Sequence, residues 1–214
     1  MERSDAKHTP SASELAERLE TPLRALGLSL SPAQAELLAR YLALLLPWNA
    51  RVNLTGARTA STIVDRHLAD GFALAGHLPD GCASLIDVGA GAGFASVACG
   101  VLHPGLRCTL LEPNGKKHTF LRAVARELPL PGLHPLRERL EEHLARPDFA
   151  PYAAAVSVAT WEPAEWLRRA APLLAPGGVA FAFATPENVA SVPEARALPY
   201  RLGSREGILV ALAR

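Results

Sequence analysis

Asp87-Val88-Gly89-Ala90-Gly91-Ala92-Gly93-Phe94 is the stretch of this 214-residue chain whose composition suits the close approach of a small ligand. Its three glycines alternate with alanines, directly after the apolar run Leu85–Val88. A turn without side chains lets backbone N–H groups reach a ligand where a Cβ would hold it off. The spacing is G-x-G-x-G. A dinucleotide fingerprint, G-x-G-x-x-G, would place its third glycine at position 94, which is Phe94, so a dinucleotide-dependent reductase is disfavoured. Glu112 follows about one strand–helix unit later, at the end of a second apolar stretch, Arg107–Leu111. An acid at that place can accept hydrogen bonds from both ribose hydroxyls of an adenosine. Small residues also line strand–helix turns for packing alone, and a carboxylate after a strand can simply be solvated. The agreement of the two features carries the ligand reading.

These groups need a sheet to position them. Leu85–Val88 reads as a strand buried on both faces, and Phe94–Leu102 as the helix that follows. Further strands are expected at Arg107–Leu111, Leu133–Leu136, Ala153–Val158, Val179–Ala184 and Ile208–Leu212, with a helix opening at Gly115. Leu173–Gly178 reads as a helix end and turn. Alternating strands and helices give an α/β fold, a mostly parallel sheet flanked by helices.

Two helices precede the sheet. Leu15, Leu19, Leu23 and Leu26 form a helical stripe, with Ser13 as N-cap and Gly27 as stop. Ser31-Pro32 opens the second helix, apolar from Ala35 to Leu46, and Pro47 is expected to end or kink it. The expected organisation is a flexible tail over 1–12, a helical extension over 13–80 and a ligand-binding core over 81–214.

The net charge of +1 announces no nucleic-acid partner in bulk, so any such partner must be met by a local patch. The three cysteines, Cys82, Cys99 and Cys108, have no C-x-x-C spacing, and neither a metal site nor a disulfide is expected. No apolar run reaches membrane-spanning length and the first residues are polar, so a soluble, cytoplasmic protein that works as a monomer, away from membranes, is expected.

Family resemblance adds to this reading. G-x-G-x-G after a strand resembles motif I of the class I S-adenosylmethionine-dependent methyltransferases. Trp48-Asn49-x-x-x-Asn53-Leu54-Thr55, then Arg66-His67-x-x-Asp70, then the glycine stretch, in this order, resemble the bacterial small-subunit ribosomal RNA guanine-N7 methyltransferases, formerly called glucose-inhibited division protein B. Gly115-Lys116-Lys117-x-x-Phe120-Leu121 is similar to that family as well. The resemblance implies a Rossmann-like class I methyltransferase core, S-adenosyl-L-methionine as cofactor, and small-subunit ribosomal RNA or the particle as partner. It implies that Asp87, Gly89, Gly91, Gly93, Phe94, Glu112, Arg139 and Glu141 hold the cofactor, the last two beside the adenine. Arg66, His67, Lys116, Lys117 and Arg122 are the candidates for RNA, with Arg66, His67 and Ser157 positioning the acceptor and Asp70 in the site wall. Lys116, Lys117 and Arg122 lie near the start of a helix, where cations oppose the dipole; a phosphate partner or a solvated face accounts for them.

From the residues alone, Asn49, Asn53 and Thr55 read as turn formers and His67 as a polar-face helix residue. Trp161 and Trp166 could offer stacking surfaces, although helix packing suits Trp166 better. Two positions depart from the family pattern. Val158 stands where an arginine is usual, and no lysine follows Ala184. These departures bear on the acceptor more than on the cofactor. Methyl transfer to guanine N7 needs no strong base, which fits the absence of a nucleophile–base pair in the sequence. The alternatives are a class I methyltransferase with another RNA or a small-molecule acceptor, and a non-catalytic ribosome-associated module.

Overall fold

The computed structural model describes residues 9–202 and 205–214, so residues 1–8 of the expected tail lie outside the described residues. Helix α1, Ala12–Ala25, begins at a capping box in which Ser11 Oγ accepts the Glu14 N–H (3.3 Å) and the Glu14 carboxylate accepts the Ser11 N–H (2.7 Å). Ser11, not Ser13, is therefore the N-cap. The reciprocal pair needs an acid three residues on, which Ser11 has in Glu14, whereas Ser13 is followed at that spacing by Ala16.

Helix α2, Pro32–Val52, starts at Ser31 with its own capping box to Gln34 and runs on through Pro47. Proline removes the N–H that would bond the Ala43 carbonyl. Both Ala43 and Pro47 are exposed, so water can take that carbonyl. The helix ends at Asn53, which adopts the left-handed conformation (φ 55°) that asparagine tolerates. A short α3, Ala60–Thr62, continues through a π-helical stretch, Ile63–Leu68, into α4, Ala69–Ala75.

The sheet domain alternates as expected: β1 (Ser84–Val88), α5 (Phe94–Leu102), β2 (Arg107–Leu111), α6 (Gly115–Glu127), β3 (Leu133–Leu136), α7 (Leu140–Leu144), β4 (Tyr152–Ser157), α8 (Pro163–Ala170) and β5 (Leu174–Ala184). Two further strands, β6 (Arg196–Leu202) and β7 (Arg205–Ala213), complete it. Several strands differ from the sequence reading. β4 stops before Val158. β5 begins five residues early, because Leu174 pairs with Tyr152 before a bulge carries the chain round Pro176–Gly178. β6 is an additional strand, and β7 extends beyond Ile208–Leu212.

The strand order is β3-β2-β1-β4-β5-β7-β6, parallel except for β7. Successive residues of each strand alternate between two cores. Leu85, Cys108, Leu110, Ala154, Val156 and Phe181 pack with α2, α4, α5 and α6. Ile86, Val88, Leu111, Ala155, Ala180 and Ala182 pack with α8 and Leu140 of α7. The chain proceeds from β1 to β2 and β3 on one side, then returns to β4 on the other. That reversal opens a crevice outside the carboxyl ends of β1 and β4, the place where open α/β sheets bind ligands.

Candidate active site

The crevice is a cleft of about 300 Å³. Its floor is the turn after β1. Gly89 (φ 76°) and Gly91 (φ 60°) take a backbone conformation that L side chains rarely adopt. A Cβ at Gly89 would meet Thr160 Oγ1 at 2.5 Å, whereas one at Gly91 would find nothing nearer than 3.9 Å. Gly89 is therefore a packing glycine, and Gly91 leaves open space over the loop. Gly93 caps α5 from below the floor and is itself buried.

Two carboxylates brace this floor. Glu112 is 5% exposed; its Oε2 accepts the Gly91 N–H (2.9 Å) and its Oε1 the Asn114 N–H (2.8 Å). Each oxygen keeps a second lone pair, so this brace is compatible with further donors. Asp87, 2% exposed, accepts the Ser96 hydroxyl at 2.8 Å. Burial pushes its pKa up to about 6, hydrogen bonds from Ser96 oppose the shift, and the nearby Glu112 charge adds to it. From outside, the buried Tyr41 of α2 donates its hydroxyl to the Ala92 carbonyl (2.9 Å) and packs edge-on to Phe94.

One wall comes from the segment before the sheet. Buried Asn49, inside α2, donates to the Ala57 carbonyl (2.7 Å) and accepts the Thr55 N–H (2.8 Å), pinning the loop that follows Asn53. Thr55 Oγ1 lies 2.8 Å from His67 Nε2, and the His67 ring stacks on Phe94 with centroids 4.6 Å apart. Leu54, Thr55, His67, Asp70 and Gly71 line the cleft on this side, and Asp70 Oδ1 accepts the Tyr200 hydroxyl (2.5 Å). The opposite wall is Val158, Ala159 and Thr160, with Ala159 at φ 55°. Lys117 stands at the rim.

The expected site residues thus divide. Asp87, Gly89, Gly91, Phe94, His67, Asp70 and Lys117 meet around one cleft. Glu112 and Gly93 act on its floor from beneath. Ser157 is buried and donates to the Val88 carbonyl (2.7 Å), holding β4 to the end of β1 rather than facing the cleft. Arg66, Lys116 and Arg122 are exposed and outside the lining. Arg139 and Glu141 are also exposed outside it: the Arg139 N–H donates to Glu142, and Glu141 pairs with Arg169 on α8 (3.2 Å). Trp166 is buried and donates Nε1–H to the Phe181 carbonyl (2.7 Å), with Trp161 stacked on it at 5.5 Å. Gly71 and Thr160 join the lining without a signal in the sequence, whereas Leu54 comes from the Asn53-Leu54-Thr55 stretch and Ala159 fits the family pattern after β4. Gly71 reaches the cleft from α4 through its close packing on α5, and Thr160 through the loop after β4, where Ala159 takes φ 55°.

A seven-stranded sheet of this order, with one antiparallel strand, a glycine turn after β1 and an acid after β2, is the class I methyltransferase fold. An O-methyltransferase from Bacillus cereus, solved in complex with SAH, shares the fold with a TM-score of 0.57 at 16% identity, covering 83% of this chain and 90% of that one. The chain belongs to the rRNA small subunit methyltransferase G family, whose model matches residues 34–198. Among curated relatives, the ribosomal RNA small subunit methyltransferase G of Pseudomonas entomophila is 42% identical over 127 residues, 59% of either protein. That of Halorhodospira halophila is 37% identical over 180 residues, 83% of either. The matches to the relatives from Pseudomonas entomophila and Chromobacterium violaceum span about three-fifths of their length.

Proposed function

We propose that the cleft binds S-adenosyl-L-methionine and that the protein transfers its methyl group to N7 of a guanine in small-subunit ribosomal RNA, acting as a cytoplasmic monomer. The observation that carries the cofactor reading is the open space over Gly91, whose N–H is held by Glu112 at the reversal of the strand order. A cofactor lying there would pack against the side-chain-free backbone at Gly91 and be flanked by Phe94. The Gly89 and Ala90 N–H groups are already bonded to the Leu111 carbonyl (2.9 and 3.0 Å), so they hold the turn rather than the ligand. Glu112 would accept from the ribose hydroxyls while retaining the loop. Arg139 and Glu141, at the start of α7, stand on the side of the sheet assigned to the adenine.

When bound, the cofactor supplies an electrophilic methyl on a sulfonium. Guanine N7 already carries its lone pair, so the side chains have to orient the acceptor and keep water out. Leu54, Phe94 and Val158 give the cleft its apolar surface, and His67 is fixed by Thr55 and Phe94 as a rigid part of the wall. Arg66, Lys116, Lys117 and Arg122 are the proposed contacts to RNA phosphates, with an acceptor base taken from an unpaired segment.

Val158 favours a second reading, a different acceptor, because an apolar side chain lines the wall where the family pattern has an arginine. Labelled S-adenosylmethionine, the purified protein and small ribosomal particles from a strain lacking this enzyme separate the two. Label in an N7-methylguanine, detected by aniline cleavage and lost in Glu112→Ala, supports the ribosomal assignment. Intact cofactor binding without label refutes it and directs the search to other acceptors.

A further inference from the structure

The cofactor's two ends differ in charge: the adenosine end is neutral, whereas the methionine end carries an α-ammonium and an α-carboxylate. With the ribose on Glu112, the adenosine lies on the β2 side of the glycine turn. The methionine end must then cross the turn toward the π-helical stretch and α4. Among the described residues lining the cleft, the carboxylates are Asp70 and Asp87. Asp87 lines the cleft too, but it is 2% exposed and its Oδ2 already accepts the Ser96 hydroxyl. Asp70 is on the wall that the methionine end approaches.

Asp70 is held from a distant part of the chain. Its Oδ1 accepts the hydroxyl of Tyr200, 130 residues away on β6. The Tyr200 ring lies directly across Gly207 on β7, where a Cβ would come within 2.8 Å of Cε1, and meets the edge of Phe183 with centroids 6.3 Å apart. The backbone beside Asp70 is fixed as well: a Cβ on Gly71 would lie 2.7 Å from Ala98 Cβ and 2.9 Å from the Phe94 carbonyl. The bond from Tyr200 orients the Asp70 carboxylate on the cleft wall.

We infer that Asp70 receives the α-ammonium of the cofactor's methionine end, and that Tyr200, seated on Gly207, is a positioning residue acting through it. This rests on the cofactor reading above. Two probes built on the same nucleoside separate the cases: S-adenosylhomocysteine keeps the amino-acid end, and 5′-methylthioadenosine lacks it. Calorimetric titration of Asp70→Asn should show S-adenosylhomocysteine affinity falling roughly 10- to 100-fold, as expected for a lost charge-assisted hydrogen bond. Methylthioadenosine affinity should stay within about twofold. Tyr200→Phe and Gly207→Ala should each weaken the first ligand about three- to tenfold and spare the second, because each releases Asp70 without removing it. A merely structural role for Tyr200 would affect both ligands alike. Equal losses for both ligands, or undiminished S-adenosylhomocysteine binding in Asp70→Asn, would overturn the assignment. Wild-type protein that bound neither ligand would overturn the cofactor reading and this assignment with it.

Discussion

Asp87 should make the protein lose stability as the pH rises from about 4 to above 6. Its carboxyl is buried at the end of β1, and burial raises its pKa from the ordinary 3.8 to about 6. Between those values the folded chain binds more protons here than the unfolded chain does. Stability therefore falls with rising pH, the reverse of an ion-paired carboxylate. At roughly 1.4 kcal/mol per pH unit, the whole effect is on the order of 3 kcal/mol. About 2 kcal/mol of it is lost between pH 4.5 and pH 8, equivalent to roughly 4–8 °C in Tm for a domain of this size. Urea melts of the wild type and Asp87→Asn at both pH values isolate the group. The asparagine can still accept from Ser96, and any fixed cost of the amide cancels in the pH difference. The wild type should lose about 2 kcal/mol relative to the variant on going to pH 8. Parallel pH dependence in the two proteins would refute the account of a desolvated Asp87.

Gly91→Ala should fold with a loss of about 1 kcal/mol for the left-handed backbone but bind S-adenosylhomocysteine at least about tenfold more weakly, as calorimetry would read, because its Cβ enters the space over the loop. Gly89→Ala should instead be detected by lower thermal stability, since its Cβ must displace Thr160. Asn49→Ala leaves the Thr55 N–H and the Ala57 carbonyl without their partner and should cost about 2–3 kcal/mol in urea melts. Tyr41→Phe removes only the bond to the Ala92 carbonyl and should cost about 1 kcal/mol, with faster amide exchange of residues 90–93 as its signature.

The parts of the fold that sequence makes legible are those where local pattern and burial agree. Leu85–Val88 and the glycine turn are adjacent in the chain, Glu112 ends the next strand, and their geometry follows from residue type. β6 is hidden because Pro199 lies within Arg196–Leu202, and proline in a strand argues against a central position. It is in fact the edge strand. Asn49 reads as a turn former because Pro47 suggests that α2 has ended, and only the exposed face of that helix makes the proline tolerable. The roles of Ser157, Arg139 and Glu141 turn on which way each side chain faces, and that depends on packing between elements distant in sequence. The link from Tyr200 to Asp70 has no local signal at all.

The packing of α2 against α6 also bears on how the chain is made. Trp48 and Tyr41 rest on Phe120, with centroids 5.7 Å and 6.3 Å apart. During synthesis the N-terminal helices emerge long before that partner exists. At about 5–20 residues per second, the ribosome takes roughly 4–14 s to add the residues between Trp48 and Phe120. For that interval the apolar side of α2 has no sheet to cover it. Vectorial synthesis thus leaves Tyr41 and Trp48 uncovered on this side until α6 has been made.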